Sequence, residues 1–466
     1  MFTYIRSTLK DKAMMRTIFL LAWPTMLEEA LQCIVTYADT AQVGVMGANA
    51  SAAIGLTTTV TWMTFYPMYA AGMSVTSCIS MALGAKDTHR AKTAAAQAVL
   101  LVLLLGFAIM GITLAVSPFL PGWLGGAQEI RKDASTYFAI ICAPMLFRAA
   151  SIITGAALRA TGNTKTPMLI STLMNVVNIL LNFLFISPTR IVTVLGHSFT
   201  MWGAGWGVAG AAIASAISIV LGGTLMTIAA WRTPALGLYL KGIRLHKEVM
   251  AQCVRVGVPI AGERVLFSFG QVVFTAITAR LGTVAMAAHS IALTAEQAFY
   301  IPGYGMQTAA ATLAGYSAGE KSEKRLMQYS STIMFIATVL MTALSAVLFL
   351  FAEPIMAIFT PDAEVVRLGG LALRIVAISE PFFAVLVILE GIFSGLGDTK
   401  APFFFSLFSM WGVRIVSTYL CVIVFGFGLG AVWFCMSADN MTRFSLMMLR
   451  FLRGKWKKRL ELEPAN

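Results

Sequence analysis

Charge is what this chain has least of. Asp, Glu, Lys and Arg together make up 12% of its 466 residues, about half of the roughly 25% found in soluble domains. With 58% hydrophobic residues and a mean hydropathy of +0.79, a water-soluble fold of this size is excluded, because its surface needs many more charges. The same composition excludes intrinsic disorder. Histidine is scarce too: His89, His197, His246 and His289 are scattered, so no metal cluster can be read. None of the six cysteines (Cys33, Cys78, Cys142, Cys253, Cys421, Cys435) forms a CxxC pair, and they read as small buried hydrophobes. Walker A, HExxH and clustered histidines are missing, so no enzyme is expected and no cofactor. The alternating strands of an outer-membrane barrel are also missing. With 39 Gly and 15 Pro the chain is not a coiled coil. What remains is an all-α polytopic membrane protein.

A membrane helix needs about 20 mainly apolar residues. About twelve such stretches are present, at 17–43, 52–82, 93–116, 134–158, 167–187, 203–229, 251–279, 287–316, 330–352, 366–393, 401–425 and 429–451. The segments between them are polar, basic or Gly/Pro-rich, as in GAKDTHRAK and RATGNTKTP. One offset relates the two halves. Pro24 and Pro259 are 235 residues apart, and so are Glu28 and Glu263, Gly47 and Gly282, Pro67 and Pro302, Gly84 and Gly319, Lys86 and Lys321, and Arg90 and Arg325. GNTKTP at 162–167 matches GDTKAP at 397–402 at the same offset. A constant offset over most of a half is the mark of duplication. Six helices per copy return the chain to its starting side. The copies are therefore expected as two six-helix lobes related by a pseudo-two-fold axis along the membrane normal. The expected organisation is an N-terminal lobe at 1–230, a cytoplasmic linker at 231–250 and a C-terminal lobe at 251–466 ending in a basic tail. The linker, LYLKGIRLHKEVM, is amphipathic and suits a membrane surface.

The net charge of +13 is informative by position. One set of segments holds Arg6, Lys10, Lys12, Arg16, Lys86, Arg90, Lys92, Arg159, Lys165, the linker cations, Lys321, Lys324, Arg325, Lys400 and the run from Arg450 to Arg459. The opposite set holds Arg131, Lys132, Arg190, Arg280 and Arg367. The positive-inside rule puts both termini in the cytoplasm of a cell with this protein in its inner (plasma) membrane. Membrane lipids then account for the basic surface, and nucleic acid is not an expected partner. The basic, polar start, MFTYIRSTLKDKAMMRTIF, reads as a cytoplasmic end rather than a cleaved signal peptide.

Against this apolar background a few polar residues stand out. Asp39 lies inside the first span, about four turns after Pro24. An ionisable group at that depth is costly unless paired, hydrated or protonated. Desolvation favours the neutral form of a carboxyl group, which suits a proton carrier. A cap or hydrogen bond to a neighbouring helix is the other reading of Asp39. In the fifth span, MNVVNILLNFLFI places Asn175, Asn178 and Asn182 on one helix face. Such a stripe either joins helices or builds a site.

The first span, LAWPTMLEEALQCIVTYADTAQVGVMGANASAAIG, resembles the opening of the multidrug and toxic compound extrusion (MATE) family: a Pro, a Glu four residues on, an Ala-Asp-Thr and a Val-Gly before a Gly-Ala turn. GAALRATGNTKTP resembles the family's "aLRgxGdtk.P" signature, and GIFSGLGDTKAP is a looser second copy. The likeness runs over essentially the whole chain. The Pro24/Glu28 and Pro259/Glu263 spacing looks more like the DinF/MepA-like bacterial branch than the NorM branch, whose tenth-helix Asp falls near Phe383 here. The resemblance implies a secondary antiporter that exports amphipathic or cationic compounds against H⁺ or Na⁺. It implies a cation site at Asp39, Asn178, Asn182 and Ser215, with Na⁺ at Asp39 as the one metal ion in question, and a hinge at Pro24. Some relatives carry Asp where Asn182 stands, and many carry Thr where Ser215 stands.

Other polar residues in the spans have two readings each. Glu28, Glu263, Glu296 and Glu380 either line a substrate cavity or pair with arginines, of which Arg148, Arg264, Arg374 and Arg414 lie near or within spans. Glu263 is adjacent to Arg264, and Asp439 and Glu390 share the ambiguity. Tyr37, Tyr300 and Met174 are cavity candidates by position, because aromatic and Met side chains suit polyspecific binding. The alternatives to efflux are a lipid-linked oligosaccharide flippase of the same superfamily and a non-transporting receptor or scaffold. Small organic molecules are the expected partners. No oligomerisation signal stands out, so a monomer is expected.

Overall fold

The computed structural model describes residues 2–44, 46–194, 197–237 and 244–458. Part of the linker and the end of the basic tail therefore lie outside the described residues. Its elements run α1 (Phe2–Lys10), α2 (Lys12–Gly44), α3 (Ala48–Gly84), α4 (Thr88–Val116), α5 (Leu120–Trp123), α6 (Gln128–Cys142), α7 (Met145–Ala160) and α8 (Lys165–Phe185). A hairpin of β1 (Pro188–Val194) and β2 (His197–Ala204) follows, then α9 (Gly207–Trp231) and α10 (Lys247–Thr278). The chain continues through α11 (Thr283–Gly319), α12 (Glu323–Leu350), α13 (Ala352–Phe359), α14 (Ala363–Gly395), α15 (Lys400–Leu407), α16 (Val416–Tyr419) and α17 (Leu429–Leu452). Residues Phe408–Ile415 and Leu420–Val424 around α16 are wound as π-helix.

Among the described residues eight helices are long and apolar enough to cross a membrane, or nine when the bent pair α6–α7 counts as one span. Three further helices of comparable length, α3, α11 and α17, fall outside that set. α3 carries Thr57, Thr58, Thr59, Thr61 and Thr64; α11 carries His289, Glu296 and Gln307; α17 carries Asp439, Asn440 and Arg443. Polar residues in a membrane helix lower its hydropathy and gain by facing other helices. These three with the nine correspond one to one with the twelve expected stretches. The bend of 46° between α6 and α7 falls at Pro144, which supplies no N–H and crowds the preceding turn. The sixth stretch, expected from 203, starts as helix only at Gly207, because β2 occupies the chain to Ala204. The alternation in TRIVTV and HSFTMW is a two-residue period that the search for long apolar runs passes over.

The 235-residue offset is written into the backbone. Gly47 and Gly282 have φ of 101° and 97°, and Gly162 and Gly397 of 87° and 66°. Lys86 and Lys321 are the non-glycine residues with positive φ among the described residues, at 59° and 52°. Each lysine closes its helix in the same way. The N–H of Lys86 donates to the Leu83 carbonyl and that of Asp87 to Ala82; the N–H of Lys321 donates to Ala318 and that of Ser322 to Ser317. This is the Schellman pattern, which needs a left-handed residue just past the helix end.

The contacts divide into two compact units: Met1–Glu29, Thr76–Thr88 and Gln252–Asn466 form one, and Ala30–Val75 and His89–Ala251 the other. In the first unit, the end of α3 crosses α11 at a glycine pair. A Cβ on Gly84 would stand 2.2 Å from the Tyr316 carbonyl oxygen, and one on Gly319 would stand 2.0 Å from that of Met81. These residues exchange under the 235-residue offset, so the crossing has the repeat's own two-fold character. Gly84→Ala and Gly319→Ala are each expected to destabilise the purified protein by about 1–3 kcal/mol through overpacking against rigid backbone. Gly55→Ala, with nothing within 4 Å, is expected to leave the thermal unfolding midpoint in detergent unchanged or slightly raised.

Candidate ion-binding site

α8 is built inside out. After its first turn, its buried residues are Asn175, Asn178 and Asn182, while Leu169, Leu173, Val176, Leu180 and Phe183 are exposed. In water this pattern would be unstable; in lipid it is the low-energy arrangement, because apolar side chains face hydrocarbon and amides face partners. The signature loop fixes where α8 starts. The N–H of Gly162 donates to the Arg159 carbonyl and that of Asn163 to Leu158, and Asn163 Oδ1 accepts from the N–H of Thr166 at 3.1 Å.

The asparagine face meets α2 and α9 within the second unit. Asn182 Nδ2 donates to Asp39 Oδ1 at 2.8 Å and lies 3.4 Å from Asn178 Oδ1. Asn178 Nδ2 donates to Ser215 Oγ at 3.1 Å. The four residues named from sequence thus form one continuous hydrogen-bonded string. Asn182 Oδ1 is buried without a donor, which leaves a neutral oxygen beside the carboxylate. Tyr137 on α6 interacts electrostatically with Asp39; sequence reasoning missed it, because its helix lies 98 positions away in the chain from the Asp39 segment. No lysine or arginine pairs with Asp39 among the described residues. One carboxylate among neutral oxygens is a donor set that suits Na⁺ or a bound proton.

Two aspartates of the first unit are held differently, by arginines. Asp439 is fully buried and pairs with Arg414 at 2.7 Å and Arg443 at 3.5 Å. Arg414 also donates to Gln271 Oε1 at 2.9 Å and lies over the rings of Phe267 and Phe274. Asp398 takes both ends of the Arg450 fork, the shortest contact being 2.7 Å. Glu263 does not pair with its neighbour Arg264: it accepts from Ser406 Oγ at 2.6 Å, while Arg264 reaches Glu390 at 3.9 Å. Adjacent helix residues point about 100° apart, which separates the two.

The remaining candidates scatter. Glu296 and Glu380 are buried beside the partly buried Tyr300. The Tyr300 hydroxyl donates to Glu296, its ring packs 4.4 Å from that of Phe383, and Glu380 interacts electrostatically with both Glu296 and Tyr300. Tyr37 is exposed. Met174 packs its sulfur toward Gly222 of α9, where a Cβ would meet it at 2.7 Å. Pro24 is buried inside α2, in the first unit with Glu28, whereas Asp39 on the same helix belongs to the second.

The MatE family model matches residues 24–184 and again 259–420. A Thermotoga maritima protein named "Probable multidrug resistance protein NorM" is 29% identical over 95% of this chain and 93% of its own length. The Bacillus subtilis "Uncharacterized transporter YisQ" is 24% identical over 94% of each chain. A solved structure described as MATE in complex with MaL6 superposes with a TM-score of 0.86 at 23% identity, over 96% of this chain and 97% of that one. Two matches to one family model, placed one repeat apart and covering both halves, identify the chain as a member of the MATE family.

Proposed function

We propose that the chain is a secondary active multidrug efflux antiporter, exporting amphipathic or cationic organic compounds in exchange for inward H⁺ or Na⁺. The observation that carries this reading is a contrast between carboxylates. Asp439 and Asp398 are neutralised by arginines, whereas Asp39 is held by the neutral amide of Asn182. An arginine-paired carboxylate is already committed; one held by an amide is available to a passing cation. Curated relatives named for multidrug resistance favour efflux over the flippase and receptor alternatives. The branch assignment rests on the Pro–Glu spacing, while those relatives carry the name NorM. The protein is a multi-pass membrane protein, read here as a monomer of the plasma membrane with both termini cytoplasmic.

The mechanism follows from charge. In an outward-open state Asp39 takes up the coupling ion, and the string from Asp39 to Ser215 tightens around a neutralised carboxylate. Pro24 has weakened α2 by removing one backbone hydrogen bond, so the helix changes its bend at little cost. The lobes at 1–230 and 251–466, joined by 231–250, then alternate access, and substrate leaves as the ion enters. Solved structures described as MATE in the straight and in the bent conformation both resemble this chain in fold.

The reading is tested by dye flux in proteoliposomes under separate Na⁺ and H⁺ gradients. One of the two gradients is expected to drive dye movement; equal flux with and without either would overturn antiport. Pro24→Ala is expected to restore the missing hydrogen bond, stiffen α2 and lower transport several-fold without lowering the thermal midpoint. Unchanged transport would remove Pro24 from the mechanism.

A further inference from the structure

Five arginines on the long helices stand beside carboxylates. Arg264 reaches Glu390, Arg374 pairs with Glu353, Arg414 and Arg443 share Asp439, and Arg450 holds Asp398. Arg148 has no carboxylate and no hydrogen bond among the described residues. Its Nε is fully buried without an acceptor, while the side chain as a whole stays partly accessible. An uncompensated cation inside a membrane protein costs several kcal/mol and marks a functional group by default.

Its surroundings add to the charge rather than balance it. Arg148 stands in the first turn of α7, immediately after the bend at Pro144, and no side chain caps that end of the helix. The positive end of a helix dipole disfavours a cation there and favours an anion. The groups that interact with it electrostatically are Tyr137 and Cys142, both on α6 and neither a carboxylate. Tyr137 interacts with Asp39 as well. One aromatic hydroxyl therefore stands in electrostatic reach of both the ion-site carboxylate and an unpaired guanidinium, all within the second unit.

We propose that Arg148 is an anion subsite: it receives the carboxylate or phosphate of an amphipathic ligand through the planar guanidinium fork. This rests on the efflux reading and deepens it. A substrate with both signs of charge places its negative group on Arg148 and leaves its cationic group toward Asp39 of the same unit, so amphoteric compounds belong to the substrate range beside simple cations. The same fork also accepts the phosphate of an anionic lipid, and the two sources are separable by experiment.

The test is equilibrium binding to purified protein in detergent, which reads Arg148 whether or not the protein transports. The probes are a rhodamine with a free carboxylate and the methyl ester of the same dye. Arg148→Gln is expected to weaken binding of the free acid by about tenfold or more and to change the ester less than about twofold. Arg148→Lys is expected to keep part of the preference, since charge remains and the fork is lost. Added phosphatidylglycerol that displaces the acid from the wild type, and not from Arg148→Gln, assigns the site to lipid phosphate. Failure to displace assigns it to a substrate carboxylate. Equal loss of both dyes in a folded Arg148→Gln protein, or no change in either, would overturn the proposal. If the Gln variant does not fold, an unaltered acid-to-ester ratio in Arg148→Lys overturns it instead.

Discussion

Asp39→Asn is expected to bring gradient-driven efflux down to the level of cells lacking the protein, at equal amounts of protein in the membrane. The substitution is close to isosteric, and the side-chain oxygen still accepts from Asn182, which now donates to Asp39 at 2.8 Å. What disappears is the charge. Coupling between two sites is a free energy of about 1–3 kcal/mol, or roughly 5–150-fold in the linked equilibrium, so a protein that no longer distinguishes ion-bound from ion-free loses that whole factor. The neighbouring amides cannot replace it, because Asn178 and Asn182 are neutral. The measurement is the initial rate of dye efflux from energised cells, with expression controlled. Efflux of Asp39→Asn at the wild-type rate would remove Asp39 from the coupling step.

Asp439→Ala is expected to have its large effect on stability. The carboxylate is fully buried and meets Arg414 at 2.7 Å and Arg443 at 3.5 Å, with the Ser409 hydroxyl donating to it as well. Removing one member of a buried ion pair leaves uncompensated charge, at about 3–5 kcal/mol. Here two guanidinium groups are left without their closest acid; Arg443 keeps Glu390 at 3.9 Å. The check is the thermal midpoint in detergent, with Arg414→Met added to the Asp439→Leu protein. The double variant is expected to recover a large part of the loss, because an apolar pair of similar volume replaces the ion pair. An Asp439→Ala protein as stable as the wild type would mean that Arg414 finds water or another partner. The two aspartates are thus separable: one variant folds and does not transport, the other folds poorly.

Much of this was legible in the sequence, for identifiable reasons. Membrane helices follow from length and apolarity, and the duplication follows from one fixed offset, which the matched φ values at Gly47/Gly282 and Lys86/Lys321 repeat in three dimensions. The Asn175, Asn178 and Asn182 face follows from helical periodicity. Periodicity names a face and not its neighbour. That Glu263 meets Ser406 and Arg264 meets Glu390 depends on the rotation and tilt of packed helices, which no local pattern encodes. The hairpin at 188–204 was hidden because its two-residue alternation lies between long apolar runs. The isolation of Arg148 is not legible in the sequence for a further reason: which carboxylate an arginine meets is decided only when the helices pack.

The most direct test of antiport reverses the usual experiment. Purified protein in proteoliposomes, with no ion gradient imposed, is given a steep gradient of dye, and internal pH and internal Na⁺ are followed with separate indicators. Downhill dye movement is expected to drive one of these ions the opposite way across the membrane in the wild type, and to drive neither in Asp39→Asn. Dye crossing through the wild-type protein with both ions unmoved, or ion movement surviving in Asp39→Asn, would contradict ion-coupled exchange at Asp39.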